Sequence, residues 1–394
     1  MKRVFWGLVV LAVLSLAAVF FYYNSHKTHG RADFLTMHWE RPLLPQGAAP
    51  RGFSELEASL SPASCGTCHQ QQWQDWQQSL HARTMQEGVL WQFRLMSQQD
   101  SNRCMDCHAP LAEQKALVAI EQGWPAAPKG DLPHYVAPDL AHDGLVCAAC
   151  HVRQHKRFGP PPSDQALSGK AHRGFTVAKE FEDSRFCASC HQFKEDGGRT
   201  AGKLREDTYE QWRKTEFAAQ GVQCQGCHMP DRRHRWEGIH SPEMLKSGIT
   251  TKLTKTDKQL VASLANTGVG HYLPTYMVAK IDMQLVLVAD GKEQVLAESR
   301  IGWQVDIQLE KEAFDRRLKP GEKLELVAAL PEGVSKGEVQ LRLLVLPAEQ
   351  YERSFAHSLT FTDELDAETL AMVQAAYDKA VATRYALVVQ TVSL

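Results

Sequence analysis

The 394-residue sequence has no excess of charge of either sign, no cysteine outside a pair, and no motif of the form C-x-x-C-K. Each absence excludes something. With 44 basic against 46 acidic residues the net charge is −2, which offers nothing to a polyanionic backbone and excludes nucleic acid as a partner. An exported protein with ten cysteines would ordinarily be a disulfide framework. Here the cysteines fall as Cys65 and Cys68, Cys104 and Cys107, Cys147 and Cys150, Cys187 and Cys190, and Cys224 and Cys227, each pair spaced C-x-x-C.

A histidine follows every pair at once, in "CGTCH", "CMDCH", "CAACH", "CASCH" and "CQGCH". A disulfide framework has no use for that histidine five times over. A thioredoxin-type dithiol would occur once, at a strand–helix junction, and structural zinc would use such clips in even number. C-x-x-C-H is the attachment signature of c-type haem: two thioethers hold the vinyl groups, and the adjacent imidazole falls under the iron. The expected cofactor is five covalent haems, held by all ten cysteines, with His69, His108, His151, His191 and His228 as proximal ligands. Haem c is attached outside the cytoplasmic membrane, so the chain beyond any leader is expected in the periplasm.

The N-terminus begins with Lys2-Arg3 and twenty uncharged residues, Val4 to Tyr23, ending in Phe20-Phe21-Tyr22-Tyr23. That length matches a hydrocarbon layer of about 30 Å, and the aromatic end suits a membrane interface. The expectation is an uncleaved single-pass anchor, residues 1–24, in the cytoplasmic membrane; the alternative is a signal peptide cut near Ala17 or Ala18. Residues 25–60, with "RPLLPQGAAPRG", are expected to form a stalk. Residues 61–250 form the haem segment, mainly short helices and irregular chain. Residues 251–394 alternate polar and apolar positions, with a hairpin turn at Asp290-Gly291, a turn at Pro320-Gly321 and a helix in "DELDAETLAMVQAAYDKAVA". They predict a β-sandwich-like C-terminal domain.

Distal ligands must come from the other histidines. In "CGTCHQQQWQDWQQSLHART" the apolar residues Trp73, Trp76 and Leu80 follow His69 at helical spacing and are expected to face a porphyrin. His81, twelve residues on, lies about 18 Å along a straight helix and about 120° around it, so it serves a different haem. His142 precedes the third motif by five residues, and His172 lies in the loop after it. His234 and His240 frame "HRWEGIH" beyond the fifth motif, one as a ligand. His271 in "NTGVGHYLPT" belongs to the β domain and is placed to reach back to a haem. His134 and His155 rank lower, and His26, His29, His38 and His357 read as solvated. Met105 and Met229 sit too near their own motifs to reach the far side of an iron. Arg232, Arg233 and Arg235 read either as a solvated turn or as partners of haem propionates.

The stretches "CGTCHQQQWQDWQQSLHART", "HDGLVCAACHVR", "CQGCHMPDRRHRWEGIH" and "NTGVGHYLPT" resemble the multihaem cytochrome superfamily that includes hydroxylamine oxidoreductase and its tetrahaem electron-accepting cytochrome. The resemblance covers roughly residues 60–275. It implies parallel and perpendicular haem pairs, mostly bis-histidine, with His81 and His142 matching histidines that cap neighbouring haems. Five motifs, an anchor and a C-terminal β domain depart from that pattern. Pentahaem nitrite reductase uses C-x-x-C-K at its active site, which is missing here. The pentahaem quinol dehydrogenases of trimethylamine-oxide respiration place their first motif close behind the anchor, whereas here about forty residues intervene. The expected function is electron transfer between redox proteins, as a free cytochrome or a complex subunit. The alternative is oxidoreduction of a small nitrogen or sulfur compound at one open haem.

Overall fold

The computed structural model describes residues 33–162, 174–330, 333–334 and 336–394. The chain divides into two compact units, Met1–Arg41 and Pro42–Leu394. In the described part of the first, the helix Phe34–His38 buries Leu35 and His38. The His38 ring lies 4.8 Å from that of Phe34, so this histidine is not solvated as expected.

In the second unit, residues 42–60 do not run as an extended stalk. Leu43 and Leu60 are buried in one apolar cluster with Trp76, Leu111, Leu140 and Val146. The Gln46 amide donates to Glu113 Oε1 at 2.6 Å, and the Tyr135 hydroxyl donates to the Gly47 carbonyl at 2.6 Å. The haem segment that follows is a series of short helices joined by turns, with the motifs on Pro62–Gly66 and its continuation, Gln98–His108, Cys147–His151, Ser184–His191 and Cys224–His228.

The C-terminal part is two facing sheets. One holds five strands in the order Glu312–Asp315, Lys292–Val305, Lys280–Ala289, Glu338–Leu346, Tyr385–Ser393; the other holds Lys323–Ala329, Gln259–Asn266 and Ile249–Lys255. Alternation, regular in Gln259–Asn266 and Glu338–Leu346, explains the sandwich. Leu260, Ala262 and Leu264 face inward from one sheet, and Met283, Leu285, Leu341 and Leu343 from the other, in one buried cluster. Burying such a side chain stabilises by roughly 1.5–3 kcal/mol. Asp290 and Gly291 take φ 51° and 72°, the two left-handed positions of the hairpin turn read from the sequence. The late helix runs Ala367–Val381 and is capped by Asp366, whose carboxylate accepts the Thr369 amide. A second helix, Glu349–Ser358, was not anticipated.

The haem segment and the sandwich are bound together by polar ties. Lys203 donates to Glu312 at 2.6 Å and to Asp315 at 2.8 Å, Arg94 bridges to Asp366, and the Tyr385 hydroxyl donates to the Ile239 carbonyl.

The expected fold class is corrected on two counts. The predicted membrane span, Val4–Tyr23, lies outside the described residues. Among the described residues no helix is long and apolar enough to cross a membrane. The longest, Ala367–Val381, has 15 residues, about 22 Å against a hydrocarbon layer of about 30 Å. Strands are also not confined to the C-terminal part. Val152–Arg153 pairs with Lys156–Gly159, which pairs with Thr176–Val177, and Arg199–Thr200 pairs with Lys203–Leu204. The first hairpin forms because Gln154 and His155 adopt φ 49° and 58°, the two-residue turn that matches strand twist.

Candidate metal centres

On a helical turn, residues i, i+3 and i+4 share a face, so each C-x-x-C-H presents two thiols and one imidazole together. Contacts between motifs group them further. The helix Pro62–Gly66 packs against Cys147–His151, and Ser184–His191 against Cys224–His228, which brings Cys65 near Cys147 and Cys187 near Cys224. The first motif thus meets the third, and the fourth meets the fifth.

The ten expected attachment cysteines are therefore not marked alike. Cys107 and Cys190 are half-buried near the C-terminal ends of the helices Gln98–His108 and Ser184–His191, each one residue before its imidazole. For Cys107 and Cys190 the assignment as haem-binding residues rests on the motif and its helical turn. Cys68 and Cys227 are exposed, whereas Cys104 and Cys150 are half-buried.

Backbone carbonyls aim the imidazoles. His108 Nδ1 lies 2.9 Å from the Thr84 carbonyl, His151 Nδ1 2.8 Å from that of Phe158, and His228 Nδ1 2.7 Å from that of Glu237. Away from the motifs, His234 Nδ1 lies 2.9 Å from the Arg232 carbonyl, and His271 Nδ1 2.9 Å from that of Tyr272. A carbonyl can only accept, so Nδ1 carries the proton in all five and the Nε2 lone pair is left for a metal. The hairpin at Gln154-His155 is what returns Phe158 to His151.

Three pairs of histidine rings, four of these rings among them, stand at nearly one spacing. His81 and His191 have centroids 6.3 Å apart, His151 and His234 6.3 Å, and His228 and His271 6.2 Å with planes 10° apart. Two metal–imidazole bonds of about 2.0 Å plus two ring radii of about 1.1 Å make about 6.2 Å. The donor pairs therefore fit an iron held between two imidazoles. Burial supports ligation by neutral rings: it pushes His81 down to about 3, His151 to about 4 and His271 to about 4, and it also lowers His228 and His234. When bound, haem supplies a one-electron couple whose potential is set by axial ligands, hydrogen bonding and burial.

The stretch 65–84 does more than its motif suggests. Its helix ends at Gln78, and His81–Arg83 forms a separate 3-10 turn, so the straight-helix projection does not apply and His81 swings to His191. Trp76 is buried in protein, its indole donating to the Leu145 carbonyl at 2.8 Å, whereas Leu80 is exposed. The expected apolar stripe is accordingly core at Trp76 and lost at Leu80. The turn also serves the second motif: the Thr84 hydroxyl donates to the His108 carbonyl at 2.6 Å, and its own carbonyl receives His108 Nδ1.

Arg233 and Arg235 are tied to an acid from a distant part of the chain. Arg233 makes a two-point contact with Asp75, both distances 2.6 Å, and Arg235 adds a third at 3.3 Å. Asp75 is a residue the sequence reading missed. The available signal was the single charge in the helix "QQQWQDWQQ", between two tryptophans. Arg232 instead pairs with Glu182.

The other candidates are not brought into such pairs. His142 is exposed, with Nε2 3.0 Å from Glu121, at the surface rather than opposite a described motif histidine. His240 is exposed as well. His172 lies outside the described residues. His155 is buried against Tyr135, with ring centroids 4.8 Å apart. Opposite His108, no histidine ring stands at the paired spacing among the described residues.

Residues 64–127, which hold the first two motifs and His81, match the family model described as cytochrome c554 and c-prime. Among solved structures, a penta-heme cytochrome c552 from Thermochromatium tepidum is similar, with a TM-score of 0.55, 18% identity, and coverage of 86% of this chain and 100% of that one. At that identity the likeness concerns the fold. No curated protein matches. Joined to five C-x-x-C-H motifs and three facing histidine pairs, the match over residues 64–127 supports a multihaem c-type cytochrome with covalently bound haem.

Proposed function

We propose that the chain carries five haems, one per motif, and passes electrons between a donor and an acceptor redox protein on the outer side of the cytoplasmic membrane. Cys107 and Cys190 supply the second thioethers of the second and fourth sites in this reading. The single observation that carries it is the set of three histidine pairs at 6.2–6.3 Å. A six-coordinate iron has no vacancy for a substrate, so closed sites serve electron passage. His81, His234 and His271 act as distal ligands opposite His191, His151 and His228. The packing of the motif helices puts the first site beside the third and the fourth beside the fifth, which suits short transfer steps. The motif stretch 65–84 also resembles the superfamily of hydroxylamine oxidoreductase and its acceptor cytochrome, which supports this reading.

A second reading has one observation in its favour. At His108 the described surroundings supply the Thr84 carbonyl and no facing histidine, which suits one open iron acting on a small nitrogen or sulfur compound.

Low-temperature EPR of the oxidised protein, with haem content measured on the same sample, tests both. Five haems, all low-spin, support the conduit alone. One high-spin haem in five transfers the preference to the second reading. Fewer than five haems, or high-spin iron at three or more, sinks the conduit.

A further inference from the structure

We propose that Asp75 is a positioning residue that holds two distal ligands in place from the helix of the first motif. This rests on the reading of His234 and His81 as ligands. Asp75 sits on Gln70–Gln78, directly behind Cys65-x-x-Cys68-His69, and is almost fully buried. Among the described residues, the hydrogen bonds to its carboxylate come from one remote segment. Arg233 grips both carboxylate oxygens at 2.6 Å, the backbone amide of His234 donates at 3.1 Å, and Arg235 at 3.3 Å. The Arg233 contact, above all, holds the Asp75 carboxyl down at about 2, so it is charged across the physiological range.

The gripped segment needs such a hold. Asp231, Arg232 and Trp236 all have left-handed φ values, 54°, 57° and 46°. Non-glycine residues in that region persist only where the surroundings impose it. Asp231 and Arg232 belong to a short 3-10 turn, Pro230–Arg232, but no helix or strand spans 233–240, so around His234 and Trp236 ladder hydrogen bonds do not impose the conformation. The Asp75 bond to the His234 amide acts on the backbone of the ligand itself, and with the Arg232 carbonyl on Nδ1 it sets where the ring stands opposite His151.

The same hold reaches a second site. The Trp236 ring lies 5.1 Å from His234 and 4.5 Å from His81, edge-on to both. Trp236 is therefore wedged between the imidazole opposite His151 and the imidazole opposite His191. Moving the 231–236 loop loosens the first directly and the second through the indole. One carboxylate thereby links the helix of the first motif to the far ligands of the third and fourth.

The experiment compares His234→Ala, Asp75→Ala and Arg233→Lys in the haem-loaded protein, reading spin state by EPR and the potentials by spectroelectrochemistry. His234→Ala should convert one haem in five to high spin; if it does not, the ligand reading fails, whatever Asp75 does. Given that conversion, Asp75→Ala should give a partial high-spin signal, up to one haem in five, reversed by added imidazole. Arg233→Lys keeps the charge but breaks the two-point grip, and should behave alike. It is the deciding arm if Asp75→Ala does not accumulate with its haems.

Asp282→Ala removes a similarly buried two-point partner, that of Arg300, remote from the motifs. It should lower stability with no change of spin. If Asp75→Ala and Arg233→Lys lower stability in the same way, with spin state and potentials unmoved, Asp75 is merely structural and the proposal is overturned.

Discussion

Replacing His271 by alanine is the sharpest probe of whether the β-sandwich takes part in the redox chemistry. The ring is half-buried and stands 6.2 Å from His228, its Nδ1 held by the Tyr272 carbonyl. What matters is that the loop carrying it is fixed without the imidazole. Asn266 donates to the His271 carbonyl at 3.0 Å and to the Leu318 carbonyl at 3.0 Å. Gln211 accepts the Tyr272 amide at 3.1 Å and donates to the Thr275 carbonyl at 3.0 Å. Leu273 and Leu318 exchange two backbone hydrogen bonds at 2.9 and 3.0 Å. Truncation should therefore leave a ring-sized hole rather than collapse the loop. The hydrogen-bond loss is about 1 kcal/mol net, a few degrees in melting temperature for a chain of this size. The large effect should be on iron: one haem in five becomes high-spin, its potential moves, and exogenous imidazole restores the low-spin signal. EPR with an imidazole titration reads all three. Five low-spin haems in the variant would refute His271 as a ligand; high-spin iron that imidazole cannot restore would refute the rigid loop.

Two further outcomes follow from local geometry. Gly144 has φ +70°, and a Cβ there would stand 2.5 Å from the His81 carbonyl oxygen and 2.8 Å from Thr84 Oγ1; Gly144→Ala should cost about 1–3 kcal/mol, seen as a lower denaturation midpoint, and an unchanged midpoint would contradict the tight 81–84 turn. Burial alone would push Asp315 up, but hydrogen bonds from Arg317 and Lys203 outweigh it and hold the carboxyl at about 2. A depressed folded-state value means stability that is present above the unfolded value near 4 and lost as pH falls toward 2, here on the order of 2 kcal/mol. Denaturation of the protein and of Asp315→Asn at pH 5 and pH 2.5 should show the gap between them shrinking in acid; a constant gap would argue against the Lys203–Asp315 tie between the haem segment and the sandwich.

Much of the molecule was legible because its signals are local. A C-x-x-C-H carries its chemistry in five consecutive residues, and the Asp290-Gly291 hairpin needs two residues with left-handed φ. The alternation in Gln259–Asn266 and Lys280–Ala289 announces a strand wherever it occurs. The misreadings came where a local signal was extended over distance. His142 lies close to the third motif in sequence, yet its ring turns outward to Glu121, because five residues of chain do not dictate a side-chain direction. The helix after His69 was projected straight through to His81, but it stops at Gln78. The arginine cluster was weighed against solvent and propionate, since nothing within 230–236 points to an acid some 160 positions earlier in the chain.

From the sequence alone came the five haem-attachment motifs and the two-sheet character of the C-terminal part, because each depends on residues adjacent in the chain or on a two-residue period. Only the tertiary structure decided which histidines face one another. His81 meets His191, His151 meets His234, and His228 meets His271 across separations of 110, 83 and 43 residues. Those pairings, like the grip of Asp75 on Arg233, are set by the packing of distant segments, and no periodicity in the chain encodes which distant segment arrives.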